Sequence, residues 1–291
     1  MGSNQIFIFG GSGFVGRNLL RSLKGCGYNL TCPVRDATAA RTVHELGCRP
    51  VIADLLKPET YRAFLTSGSI AVYLVRTGSP RHYARDHETA LTVAEAAAKA
   101  GVSRLIHLTG LLDPSERLAP YFASRYRVAQ ALEAVGPPTT LLRASMIFGE
   151  GSISYELLRA AVERLPIIPL PPWRNIRVQP VAIADVIHCL VSTIERSELA
   201  GRTLDIGGPK VYTYGELLKR FAASLGLRRR FFTVPFEARA LASLLLSKLS
   251  GVGVGETAAL LENLKNTSVV PGENTIVTVF GFQPTPVFSA H

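Results

Sequence analysis

Gly10, Gly13 and Gly16, spaced GxxGxxG, are the residues of this chain with the clearest chemical use. The apolar run Ile6-Phe-Ile-Phe9 comes before them, and the helical apolar pattern of Phe14-Val-Gly-Arg-Asn-Leu-Leu20 follows at once. That order reads as strand, tight turn, helix. Gly10 and Gly11 let the chain turn sharply off the strand. Gly13 lets the backbone approach a pyrophosphate, and Gly16 lets the new helix pack against the sheet. The helix start then offers unpaired N–H groups and the positive end of its dipole to phosphate. The candidate cofactor contacts in this stretch are Gly10, Ser12, Gly13, Phe14, Val15 and Gly16.

The next strand ends Pro33-Val34-Arg35-Asp36. A dinucleotide site selects its cofactor here, with a carboxylate for ribose hydroxyls or an arginine for a 2′-phosphate. Arg35 lies about 20 residues past the glycines, the distance expected of the selecting residue. Its guanidinium is permanently charged and grips phosphate with paired donors. Asp36 is placed to cap the following helix. This favours NADP(H), with NAD(H) as the alternative. Asp54 and Leu55 end the third strand, where the carboxylate can meet an adenine amino group or simply make a turn. Val75, with Arg76, Thr77 and Gly78, follows the fourth strand and lines the crevice beyond the strand ends.

These residues need a frame, and the first half of the chain supplies one. Strands are predicted over 5–9, 28–34, 50–53, 69–75, 105–109 and 139–143, with helices over 13–23, 38–46, 58–65, 83–100 and 121–135. Such alternation implies a doubly wound parallel sheet with helices on both faces. Beyond Gly149 the rhythm breaks. Helices are predicted over 154–164, 185–195, 214–225, 237–249 and 256–264, and strands over 180–183, 203–206 and 231–234. The proline-rich stretch 166–172 suits neither a helix nor a central strand. Thr213 and Glu216 form a capping-box pattern, and the tail from Phe280 reads as extended. The division expected is a dinucleotide-binding domain over 1–150 and a smaller α/β lobe over 151–291, interleaved with it.

Composition narrows the function classes. The 291 residues are 47% hydrophobic, enough for a substantial core. No stretch has the ~20 uninterrupted apolar residues that span a bilayer. The start lacks a basic and apolar leader pattern, so a cytoplasmic location is expected. The four cysteines, Cys26, Cys32, Cys48 and Cys189, have no metal-ligand spacing and read as small buried hydrophobes. No metal is expected. The net charge of +10 permits attraction to anions, yet Arg228-Arg-Arg230 is the one tight basic run, so no nucleic-acid partner is expected. Peripheral membrane or protein-complex association through residues 241–249 stays open, as do the small-molecule substrate and the oligomeric state. Trp173-Arg-Asn-Ile-Arg177 reads as a pocket wall or a surface loop, and His107 as a core residue.

Taken together, the chain resembles the short-chain dehydrogenase/reductase superfamily in its atypical or extended branch. It is most similar there to NmrA-like, complex I subunit-like and sugar-epimerase-like proteins. The resemblance rests on Gly10–Gly16, Val34-Arg35-Asp36, Ala53-Asp54-Leu55, residues 101–109, residues 142–149, Val181–Val186 and Thr203–Pro209. It implies an active site built on Tyr-x-x-x-Lys with an upstream Ser or Thr. Tyr121 matches the acid/base tyrosine, Arg125 stands where the lysine belongs, and Thr109 matches the hydroxyl that polarises a substrate oxygen. The implied function is an NAD(P)-dependent oxidoreductase or epimerase-like enzyme. A non-catalytic dinucleotide-binding scaffold or redox sensor is the rival.

Overall fold

The computed structural model describes residues 4–76, 82–112, 117–236 and 239–288. Seven strands form one parallel sheet: β1 (Gln5–Phe9), β2 (Asn29–Val34), β3 (Arg49–Ile52), β4 (Ile70–Tyr73), β5 (Arg104–Gly110), β6 (Thr139–Ala144) and, later in the chain, Thr203–Ile206. That last strand lies outside β6, and the spatial order runs from it through β6, β5, β4, β1 and β2 to β3. β1 therefore sits between β2 and β4, with Phe7 level with Thr31 on one side and Ala71 on the other. The strand order reverses here, and a crevice opens beyond the carboxyl ends of β1 and β4.

Alternation along β1 shows why the sheet is covered twice. Ile6 and Ile8 enter a core with Leu19, Leu20 and Leu23 of α1 (Phe14–Leu23), Val43 of α2 (Ala37–Glu45) and residues of a later helix, Ile183–Glu195. Phe7 and Phe9 face the opposite way. They meet Ala90, Val93, Ala94 and Ala97 of α3 (Tyr83–Lys99) and Val128, Ala131 and Leu132 of α4 (Pro120–Val135). Successive strand residues point to opposite faces, so the continuous apolar runs require helices on both sides.

The second half builds a smaller lobe of short pairs and helices. It comprises β7 (Ile147–Phe148), α5 (Ile153–Arg164), β8 (Ile167–Leu170), β9 (Arg177–Val178), β10 (Val181–Ala182) and α6 (Ile183–Glu195). It continues with β11 (Thr203–Ile206), β12 (Tyr212–Thr213), α7 (Tyr214–Ser224), β13 (Arg230–Thr233), α8 (Arg239–Ser250), α9 (Val254–Asn263) and α10 (Thr275–Thr278). β11 and α6 return to the main sheet, so this half is shared between the two layers. Both expected caps are present. Asp36 Oδ1 accepts from the Ala39 N–H at 2.8 Å, and Thr213 and Glu216 make the reciprocal capping box. Pro169 is accommodated because β8 pairs only with β13.

Some expectations do not hold. Residues 58–65 form two 3₁₀ turns, Pro58–Thr60 and Arg62–Phe64, in place of one helix. Tyr61 between them swings to φ −139°, buries its ring against Phe9 and donates its hydroxyl to the Leu55 carbonyl at 3.2 Å. Cys26 is exposed, because it follows the end of α1, whereas Cys32, Cys48 and Cys189 are buried. Trp173 is a wall of the second lobe's core, edge-on to Tyr214. The short α10 had no apolar periodicity to announce it; Asn274 caps it and Ile276 anchors it in the core. Thr77, Gly78 and Glu237 lie outside the described residues.

Candidate functional site

The glycine turn closes the crevice from below. Gly10 has φ +88°, and a Cβ there would lie 2.9 Å from the Leu74 carbonyl carbon and oxygen. The turn is pinned by the Gly13 N–H donating to the Gly10 carbonyl at 3.1 Å. A Cβ on Gly16 would come within 2.4 Å of that same oxygen, so the helix start fits the turn only as glycine. No side chain caps α1, including that of Ser12. Helix geometry leaves the N–H groups of Phe14, Val15 and Gly16 without intrahelical acceptors. Phe14 turns its ring toward Gly149 and Gly151, and Val15 packs on the core, so both offer main chain to a ligand.

Arg35 follows β2 and is exposed, with no ion pair among the described residues. Its neighbour Asp36 is committed to the α2 cap. Asp54 makes a local turn, accepting the Leu56 N–H at 3.1 Å, while Leu55 packs toward the α3–α4 side of the sheet. These residues and the glycine turn stand at the carboxyl ends of adjacent strands, where a dinucleotide lies.

Of the residues matched to catalysis, Tyr121 and Arg125 sit on α4 and Thr109 on β5. Arg125 is almost wholly buried and ion-pairs with Asp86 of α3 through Nη2. Its Nη1 donates to the Val75 carbonyl at 3.0 Å, and Nε finds no partner among the described residues. Its guanidinium carbon lies 5.7 Å from the centroid of the Tyr121 ring, against the face and away from any oxygen-directed bond. The Tyr121 hydroxyl is met by Arg76, whose guanidinium is raised above its ordinary value by the charge of Tyr121 and a side-chain hydrogen bond to it. Ile153 and, from α9, Glu256, Ala259, Leu260 and Asn263 close over this pair. The cavity left there is about 10 Å³, room for a single water at most.

Thr109 sits near the end of β5 with its hydroxyl buried and unpartnered among the described residues. It points to the same face as His107, two residues earlier. His107 is fully buried and holds the Tyr73 carbonyl at 2.9 Å through Nδ1, which must therefore carry the proton. Burial drives its pKa down to about 4. It is a neutral core residue, as expected.

Sequence reasoning missed Asp86, and it placed Arg76 at the crevice without pairing it with Tyr121. Asp86 carried a usable signal. It falls in the stripe Asp86, Ala90, Val93, Ala94, Ala97, which is the buried face of α3. A carboxylate on a buried helical stripe demands a cation.

A parallel seven-stranded sheet with a glycine turn at its switch point defines a dinucleotide-binding Rossmann fold of the short-chain dehydrogenase/reductase type. The chain belongs to the NAD(P)H-binding family, whose model matches residues 10–165. It is similar to the 40 kDa subunit of NADH-ubiquinone oxidoreductase of Neurospora crassa, 26% identical over 245 residues, which cover 81% of this chain and 64% of that protein. The chain thus spans less than two thirds of that subunit. It also resembles a ceramide reductase of Caulobacter vibrioides, 23% identical, with 95% of this chain and 90% of that protein covered. Among solved structures, a nucleoside-diphosphate-sugar epimerase from Staphylococcus aureus superposes with a TM-score of 0.76 at 14% identity, covering 97% and 98% of the two chains. An NADPH-dependent quinone oxidoreductase from Escherichia coli gives 0.75 at 16%, covering 97% and 96%. No helix among the described residues is long and apolar enough to cross a membrane.

Proposed function

We propose that this protein binds NADP(H) and holds it, without using Tyr121 and Arg125 as a proton relay. One observation carries this reading: Arg125 is locked in a buried ion pair with Asp86 and on the Val75 carbonyl. A relay lysine must face both the tyrosine oxygen and the nicotinamide ribose, and a buried guanidinium with those commitments is not free to do so. The cofactor would rest its pyrophosphate on the N–H groups of residues 14–16, at a cradle where added Cβ atoms would collide. Arg35 would hold the 2′-phosphate, and its freedom from any ion pair among the described residues supports NADP(H) over NAD(H). When bound, the nicotinamide supplies hydride chemistry.

A second reading follows from Arg76. Arg76 puts a guanidinium on the Tyr121 hydroxyl, so it would stand in for the lysine of a reductase. The name of the Caulobacter relative is in keeping with that reading.

Titration of NADPH and NADH against the intact protein, followed by turnover on a panel of carbonyl substrates, separates the two. The holding reading expects NADPH to bind about tenfold or more tightly than NADH, with no substrate-dependent NADPH oxidation. NADPH oxidation that drops about a hundredfold or more in both Tyr121→Phe and Arg76→Ala would replace it with the reductase. A preference for NADH would remove the role given to Arg35.

A further inference from the structure

The helix α8 packs Ala242 and Leu246 on the second lobe's core, yet it also carries leucines on the side that faces water. Its inward side carries Ser243, Ser247 and Ser250, whose hydroxyls donate to the carbonyls of Ala240, Val252 and Leu246 at 2.8, 2.6 and 2.7 Å. Its outward side carries Leu241, Leu244 and Leu245, all exposed, with Leu241 67% accessible. Positions 241, 244, 245 and 248 lie on one helical face, so the leucines form a continuous strip that ends at exposed Lys248. The chain entering this helix adds two more exposed apolar rings, Phe232 on β13 and Phe236, the latter 61% accessible. Scattered exposed hydrophobics are ordinary, but an outward apolar strip with aromatic residues at its head marks an interaction surface.

Charge selects the partner. Between residues 217 and 255 there are seven basic residues and a single acidic one, Glu237, so six of the chain's ten net positive charges fall in this stretch. Arg228 and Arg230 are exposed beside β13, with no ion pair among the described residues. Arg229, half-buried, bends back to donate to the carbonyls of Val162 and Glu163. α8 itself contains no carboxylate. An apolar strip flanked by cations, on a helix without a carboxylate, complements an anionic bilayer, whose acyl boundary takes Leu and Phe while its headgroups take Arg and Lys. A protein partner would need an acidic rim around an apolar groove, and a second copy of this basic surface would repel the first. We infer that α8 and the 232–236 segment form a docking surface for an anionic lipid bilayer, on which the protein lies peripherally.

Flotation of the full protein with vesicles tests this. One set is pure phosphatidylcholine, the other contains about 30% phosphatidylglycerol. The expected result is flotation with the anionic vesicles only, weakened by salt, and reduced about tenfold or more by the combined change Leu241→Ser, Leu244→Ser, Leu245→Ser. Arg228→Ser with Arg230→Ser should weaken binding several-fold and flatten its salt dependence. These side chains are exposed, and circular dichroism with an NADPH titration checks that the variants keep their fold. The proposal is overturned if the wild-type protein stays with the protein fraction in both lipids. It is equally overturned if the leucine variant floats like wild type. A wild-type dimer that fails to float, and that the leucine variant converts to monomer, would assign the strip to a second copy instead.

Discussion

Removing the charge of Asp86 is the most direct probe of what Arg125 does. The two side chains are 3% and 4% exposed, so water does not reach the pair. Arg125 makes two bonds, one to Asp86 and one to the neutral Val75 carbonyl, while its Nε has none among the described residues. Asp86→Asn therefore leaves a full cation in the interior with one good acceptor. Breaking one side of a buried pair in this way costs about 3–5 kcal/mol. For a chain of this size, that corresponds to a fall in Tm on the order of 10 °C. Replacing both partners, as in Asp86→Leu with Arg125→Met, removes the stranded charge and should recover most of the loss, to within about 1 kcal/mol of wild type. Urea unfolding followed by fluorescence of Trp173, the one tryptophan, reads all three stabilities. If Arg125 is structural, the double variant also keeps its NADPH affinity. A loss below about 1 kcal/mol in Asp86→Asn would mean the pair is solvated. The guanidinium would then be free to turn to the cofactor and to serve a relay.

The buried His107 sets a pH dependence of stability. Its folded pKa of about 4 lies below the ordinary 6.5, so the unfolded chain binds the proton first; stability is full above about pH 6.5 and declines as pH falls toward 4. The limit is about 3 kcal/mol, and His107→Gln should remove the slope above pH 5, where most carboxylates are still ionised; identical slopes in urea titrations of the two proteins would count against this. Gly16→Ala places a methyl 2.4 Å from the Gly10 carbonyl, a clash with main chain that rotamers cannot relieve. The turn must shift, so NADPH affinity should drop about tenfold or more with roughly 1–3 kcal/mol of stability; an unchanged Kd would show that the turn is not the phosphate cradle. Arg35→Ala should weaken NADPH about ten- to a hundredfold and leave NADH alone, since a single charge-assisted phosphate contact is lost; equal weakening of both cofactors would place Arg35 elsewhere on the nucleotide.

What was legible in the residues divides along the distance over which each feature is decided. The glycine turn, the Asp36 cap and the Thr213–Glu216 capping box involve neighbours within a few positions, and each is found where the spacing put it. The alternation of strands and helices likewise follows from local periodicity, and it was enough to yield the parallel sheet. Residues 58–65 have local helical character too, but the pull of a core 50 residues away on the ring of Tyr61 divides them into two turns. The same limit governs the site. Tyr121 and Arg125 are four apart and read as a pair, yet what each does is decided by Arg76 and Asp86, neither of which is near them in the chain. A buried carboxylate on the α3 stripe was the available signal that Arg125 has a partner besides Tyr121. The Tyr-x-x-x-Arg pattern states only that a cation is within reach of a phenol. Which acceptors hold that cation determines whether it serves proton transfer or holds α4 to α3, and here a buried carboxylate and a strand-end carbonyl hold it.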